Sequence, residues 1–266
     1  MIKMFKNEKE FLKAYDKNQF DRPSITVDIV VFSVSSGKAE NWRKLTKKKM
    51  SVLLVKRNTF PFKDKWCLPG GFLKMDETLE TAATRVLLNE TNMQNIYLEQ
   101  LYTFSDLNRD PRMRIVSTAY VALIDKNKYE EVSELASWYE INVTIKNNIY
   151  SFTLENENER LTFKVKKEGD HFISVDSDLA FDHDLVIAYG LNRIKNKLEY
   201  TNIVFSLMPE YFTLGELQQV YEVILGKKLL DPAFRRVIAN KVVKTNKVKK
   251  GGGHRPSALY KFKDEK

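Results

Sequence analysis

The stretch "GGFLKMDETLETAATRVLLNETNM", Gly70 to Met93, decides how the rest of the chain is read. It opens on a Gly-Gly pair, the only one before the C-terminal tail. Leu79, Ala83, Val86 and Leu87 then recur at helical spacing, which predicts a helix over Asp76–Thr91. Asp76 suits the cap at its start, and Asn92 suits a left-handed cap at its end. Positions 86, 89 and 90 stand at i, i+3, i+4 and share one helix face. Three carboxylates there would make a cation site. This chain has Val86, Asn89 and Glu90, an aliphatic, a neutral amide and a single acid.

Around this box the pattern is mixed. A short amphipathic helix is expected over Glu8–Lys17. "SITVDIVVFSV" (Ser24–Val34) and "MSVLLVKR" (Met50–Arg57) are β-branched, apolar runs that read as strands. "IYLEQLYTF" and "IVSTAYVALI" predict two more. Between Ile141 and Val175 short alternating segments, separated by "KNN" and "ENENE", read as an antiparallel β insertion. "DHDLVIAYGLNRIKNKL" (Asp182–Leu198) predicts a helix closing a first, α+β domain near residue 200.

Composition bounds the function classes. With 43% apolar and 12% aromatic residues among 266, the chain can bury a core, which argues against global disorder. No run approaches the ~20 apolar residues of a membrane span, and the N-terminus lacks the apolar core of a signal peptide. A single cysteine, Cys67, cannot form an internal disulfide. A soluble cytoplasmic protein without a membrane partner is expected. The net charge of +9 is uneven: residues 201–266 carry ten Lys and three Arg against six acids, +7, which leaves +2 for the first 200. A separate basic module usually meets nucleic acid.

The box resembles that of the Nudix family. Gly71, Glu77, Arg85 and Glu90 stand at the family's spacing, "WCLPGGF" resembles the lead-in of ADP-ribose-type members, and "FSDLNRDPRMRIVSTAYVAL" extends the likeness over most of the first domain. The resemblance implies an α/β/α sandwich with a mixed sheet. In active members, carboxylates on the box helix hold divalent cations against a diphosphate. Here Val86 offers no ligand, Asn89 one neutral oxygen, and Glu90 at most one weakly held, hydrated magnesium. Each lost charge-stabilising group costs about 100- to 1000-fold in rate, so an inactive or weak hydrolase is expected. Gly71, Glu77 and Arg85 serve the fold of the box. Glu80, Asp176, Asp178 and Asp182 are the displaced acids that would have to rescue chemistry.

Ligand capture without chemistry remains open. Arg109, Arg112 and Arg114 cluster in "DLNRDPRMR", Arg57 follows the second strand, and Gly70 heads the box. Arginine suits bidentate diphosphate recognition; the alternative for each is a solvated turn with local salt bridges. Phe60, Phe62, Tyr102 and Phe104 are either adenine-stacking platforms or core.

The C-terminal stretch carries a second signal. Thr213 and Glu216 form a capping-box pattern, Leu214, Leu217, Tyr221 and Ile224 or Leu225 one apolar face, and Gly226 a stop. Asp231 as a cap with Pro232 behind it opens a second helix, with Phe234, Val237 and Ile238 inward and Arg235 and Arg236 outward. "KVVKTNKVKK", a "GGG" turn and "HRPSALYKF" read as a hairpin. This is the order of a winged helix-turn-helix, with Arg235 and Arg236 as base readers and Lys244, Lys247, Lys249, Lys250, His254 and Arg255 on the wing. A decayed Nudix box before such a module resembles the Nudix-related transcriptional regulators that repress bacterial NAD biosynthesis genes. That resemblance implies a homodimer on double-stranded operator DNA, responsive to ADP-ribose or a related nucleotide or sugar metabolite. Two other readings stand beside it. One is a working magnesium-dependent ADP-ribose hydrolase with an accessory winged domain, the other a metabolite-binding protein acting through protein partners. The domains expected are 1–200 and 201–266.

Overall fold

A computed structural model describes residues 5–36, 47–126, 132–198, 200–249 and 256–263. The elements run α1 (Glu8–Ala14), β1 (Ser24–Ser36), β2 (Lys48–Lys56), β3 (Trp66–Cys67), β4 (Gly70–Phe72), α2 (Leu79–Thr91), β5 (Glu99–Phe104), β6 (Ile115–Ile124), β7 (Ala136–Lys146), β8 (Ile149–Glu155), β9 (Arg160–Glu168), β10 (His171–Ser177) and α3 (His183–Lys197). A 3-10 helix (Ile203–Leu207) leads into α4 (Leu214–Leu225), α5 (Asp231–Ile238), β11 (Val242–Lys249) and β12 (Ser257–Phe262).

One mixed sheet runs β10-β9-β8-β7-β2-β1-β6-β5, with β3 paired to β2 and β4 to β1. Its parallel pair is β1 with β6, in register from Ser24↔Ile115 to Ser33↔Ile124. Strand β1 is apolar on both faces because both are covered. Val27, Ile29 and Val31 pack toward α2, whereas Val30, Phe32 and Val34 join the core that holds α3 and α4. Helix α3 comes close through Gly190, where a Cβ would lie 3.0 Å from both Phe32 and Val30. The expected α/β/α sandwich is therefore present. The expected insertion is no separate body: β7 pairs with β2, and β8–β10 continue the same sheet.

Local signals place α2 well but start it late. Thr78, not Asp76, caps it, through a reciprocal pair with Thr81. Asn92 takes the left-handed cap at φ 62°. In the C-terminal unit the Thr213–Glu216 capping box and the left-handed Gly226 are as expected. Leu230 caps α5, so Asp231 is its first residue and accepts instead from the Gln218 amide at 2.8 Å. β11 and β12 form the hairpin, and Phe212 bridges to Tyr260 at its base. The two units share one core: Val204, Leu217, Ile224 and Phe234 lie in the same cluster as Phe32 and Ile194. Among the described residues no helix is long and apolar enough to cross a membrane.

Candidate functional site

The box loop, the end of β2, the 109–112 turn and the start of α3 enclose a cavity of about 550 Å³. Its floor is a buried charge network. Asp28, the lone acid inside the apolar β1, accepts from Arg109 at 3.0 Å and from the Ser117 hydroxyl at 2.5 Å. Arg109 also forks onto Asp182, at 2.9 and 2.7 Å. The Leu68 N–H donates to His183 Nδ1 at 2.8 Å, which fixes the ring with its proton on Nε2, facing Asp28 at 3.6 Å. Burial alone would raise the Asp28 pKa, but His183, Arg109 and Ser117 outweigh it and hold the carboxyl well below the usual range. Because Asp182 is committed to Arg109, the start of α3 has no side-chain cap.

The walls differ from the floor. Arg57 and Arg112 both line the cavity, and both face the ring of Phe181, at 4.8 and 5.9 Å. Phe181 sits at φ 54°, a costly conformation for a bulky side chain. Its neighbours hold it there: Ala180 donates to the Trp66 carbonyl, and Asp182 and His183 are anchored in the floor. Arg112 also pairs with Asp110 at 2.8 Å and lies over Phe72. The Thr26 hydroxyl lines the cavity and is buried with no hydrogen bond among the described residues.

Glu90 faces this cavity from α2. The Gly70 N–H donates to its carboxylate at 3.1 Å. Burial pushes the Glu90 pKa up to about 7, the Asp28 charge adds to the rise, and the Gly70 hydrogen bond and Arg57 oppose it. Gly70 is obligatory, since a Cβ would meet Asp28 Oδ1 at 2.5 Å. Glu77 and Arg85 form a bidentate ion pair, and Arg85 also donates to the Phe72 carbonyl at 3.0 Å. They brace the loop on the helix, as expected of the fold role. Val86 does not share the cavity with Asn89 and Glu90. It is buried against Gly71, where a Cβ would meet it at 2.9 Å.

The winged unit presents a second surface. Arg235 and Arg236 are exposed on α5, over the buried Phe234 and Ile238. Lys244 and Lys247 are exposed on β11, with the Lys247 ammonium 3.6 Å from the Tyr211 ring centroid.

These geometries agree with what the chain is similar to. The NUDIX domain model matches residues 44–153, and the model described as the NrtR DNA-binding winged helix domain matches 204–262. The ADPR responsive transcriptional repressor NtrR of Acinetobacter baylyi is 35% identical over 264 residues, 97% of this chain and 89% of that protein. The chain belongs to the NrtR family. A MutT/nudix family protein from Enterococcus faecalis superposes with a TM-score of 0.74 at 25% identity, over 97% of this chain and 94% of that one. Shewanella oneidensis NrtR in complex with a 27mer DNA superposes at 0.61 and 28% identity, over 90% and 93%.

Within the NrtR family frame, several sequence expectations need correction. Arg109, expected to face a ligand, lines the cavity with a side chain only 4% exposed and paired to Asp28 and Asp182. Arg114 is exposed and donates to the carbonyls of Ser105 and Asp106, bracing its own turn outside the cavity lining. Lys249 is tied to Glu216 at 2.5 Å, a brace from the wing to α4. Val237 is exposed, not inward. Lys250, His254 and Arg255 lie outside the described residues. Arg57, Arg112, Gly70 and Glu90 do converge.

Nudix domains in general use a divalent cation. The residues here do not fit such a cluster. Val86 is sealed in the core, Asn89 is neutral, Glu90 is the one cavity-facing acid of α2, and Asp28 is consumed by its own partners. Among the described residues no three His, Cys, Asp or Glu side chains could hold a metal ion. The displaced acids do not rescue it. Asp182 is paired to Arg109, Asp178 accepts from Thr162, and Glu80 and Asp176 lie outside the cavity lining. Sequence reasoning missed Asp28, His183, Phe72 and Phe181. An acid inside a β-branched run was the available signal for Asp28. Phe60 is exposed, Phe62 packs on Phe181, and Tyr102 and Phe104 pack on Tyr189, so none of the four nominated aromatics lines the cavity.

Proposed function

We propose that the chain is a ligand-responsive transcriptional regulator. Residues 1–200 bind ADP-ribose or a related nucleotide-diphosphate metabolite without hydrolysing it, and residues 201–266 bind operator DNA. The observation that carries this reading is the cavity itself. It has cationic walls, Arg57 and Arg112, around a box helix that presents Glu90 as its one cavity-facing carboxylate. Arginine forks match diphosphate oxygens, and Phe181 gives both guanidinia a surface to rest on. The ligand acts by linkage: it changes operator affinity by the ratio of its own affinities for the two states. The working form is a cytoplasmic homodimer, two α5 helices reading two half-sites. The Acinetobacter baylyi relative is an ADPR responsive repressor, which supports the ligand, and the DNA complex of the Shewanella oneidensis relative supports the partner.

The test joins three readouts on one preparation. Purified protein with ADP-ribose and magnesium is followed for product over hours, for thermal stabilisation, and for release of a duplex selected from a random library. Stabilisation and altered duplex binding without product are expected. Steady turnover at rates ordinary for hydrolases would overturn the sensor reading.

A further inference from the structure

The exposed side of α5 is not uniformly basic. At about 100° per residue, Phe234 and Ile238 point into the core, and Arg236 points directly away from it. Arg235 flanks Arg236 on one side. On the other, Ala233 and Val237 stand one turn apart and form a short apolar strip, which the exposed N-cap residue Leu230 precedes. Leu230 is 78% exposed and Val237 65%. A lone exposed valine needs no explanation. This one lies in a row parallel to Arg236, and the one acid of α5, Asp231, is turned to Gln218 on the opposite flank.

In the major groove the apolar feature of the base edges is the thymine C5 methyl group. We propose that Val237, set in this strip, is a specificity-determining residue that reads a thymine methyl beside the base contacted by Arg236. The inference rests on the DNA-binding reading above and adds to it. The preferred half-site pairs a thymine with a neighbouring guanine, and the discrimination comes from apolar contact as well as from arginine.

Full-length protein first selects a duplex from a random library. Each thymine of that duplex is then replaced singly by deoxyuridine, which removes only the 5-methyl group, and affinity is read by fluorescence anisotropy. One replacement per half-site is expected to weaken wild-type binding about fourfold, the worth of one buried methyl. Val237→Ala should bind the parent duplex more weakly by a similar factor and lose sensitivity to that replacement, while Val237→Thr, which keeps a methyl, retains much of it. Val237 is exposed and alanine favours helix, so the variant folds; circular dichroism confirms it. A selected duplex with no deoxyuridine-sensitive position, or identical profiles for wild type and Val237→Ala, overturns the inference and leaves DNA binding standing. Failure to select any duplex overturns the DNA-binding reading, and this inference with it.

Discussion

Replacing Glu90 by glutamine tests the electrostatics of the cavity directly. The side chain keeps its size and an oxygen for the Gly70 N–H, and only the charge is lost. In the folded protein burial raises the carboxyl from its ordinary 4.5 to about 7. The folded state therefore binds this proton more tightly than the unfolded chain. The stability this group contributes is fully present below about pH 4.5 and is lost as pH rises through about 7. The displacement corresponds to about 3 kcal/mol, which solvent reaching the open cavity trims to about 1–3 kcal/mol. Glu90→Gln should match wild type near pH 4 and exceed it by that amount near pH 8 in urea denaturation. In thermal melts the gain is several degrees. The same charge opposes a diphosphate, so ADP-ribose should bind wild type more tightly as pH falls through about 7, and bind Glu90→Gln with little pH dependence. A stability difference that is equal at both pH values would refute the argument, because Glu90 would then be an ordinary hydrated acid.

Three further outcomes follow from the geometry. Arg109→Met leaves Asp28 and Asp182 buried without their cation and should cost about 3–5 kcal/mol; a loss below about 1 kcal/mol in urea melts would mean the network is solvated. Asn89→Glu should be tolerated, whereas Val86→Glu forces a charge into the core against Gly71 and should destabilise by at least about 2 kcal/mol, so the pair restores little hydrolysis unless the loop shifts; vigorous ADP-ribose turnover by the double variant would show that the loop yields easily. Neutralising Lys244 and Lys247 should flatten the log–log salt dependence of duplex binding by about 0.9 for each lost phosphate contact, while Lys249→Ala should instead lower stability by loosening the wing from Glu216.

What the sequence showed depended on the range of the interaction. β6 runs over Ile115–Ile124, as its apolar run predicts, because a strand buried on both faces needs no partner to be recognised. Asn92 and Gly226 were legible for the same reason, being local backbone demands. Arg109 was not. Its partners lie 81 and 73 residues away, and nothing in "DLNRDPRMR" separates the arginine that turns inward from its two neighbours. Val237 failed differently. A spacing of i, i+3, i+4 from Phe234 fits both Val237 and Ile238, and α5, which ends at Ile238, buries only the second. Val86 stands where a cation ligand would face the cavity, yet it serves the core, because the glycine beside it leaves a gap that only a side chain from α2 fills.

Under the proposed function, α3 is the element that joins the cavity to the DNA-binding unit. Its N-cap residue Asp182 and first residue His183 form the cavity floor with Asp28 and Arg109. Further along, Leu191 and Ile194 share the core of Leu217 and Ile224 on α4, the helix on which α5 packs through Phe234 and Tyr221. Helix α3 and two packed interfaces therefore connect the cavity to α5. Close-packed cores switch between discrete arrangements and do not deform gradually. A coupling of about 1–3 kcal/mol, five- to 150-fold in operator affinity, is ordinary for such a link. Hydrolysis would work against it, since a sensor that destroys its ligand reports a rate of supply and not a concentration. Val86 and Asn89 where a cation site would place carboxylates, beside Arg57, Arg112 and the Glu77–Arg85 brace, fit the proposed concentration sensor.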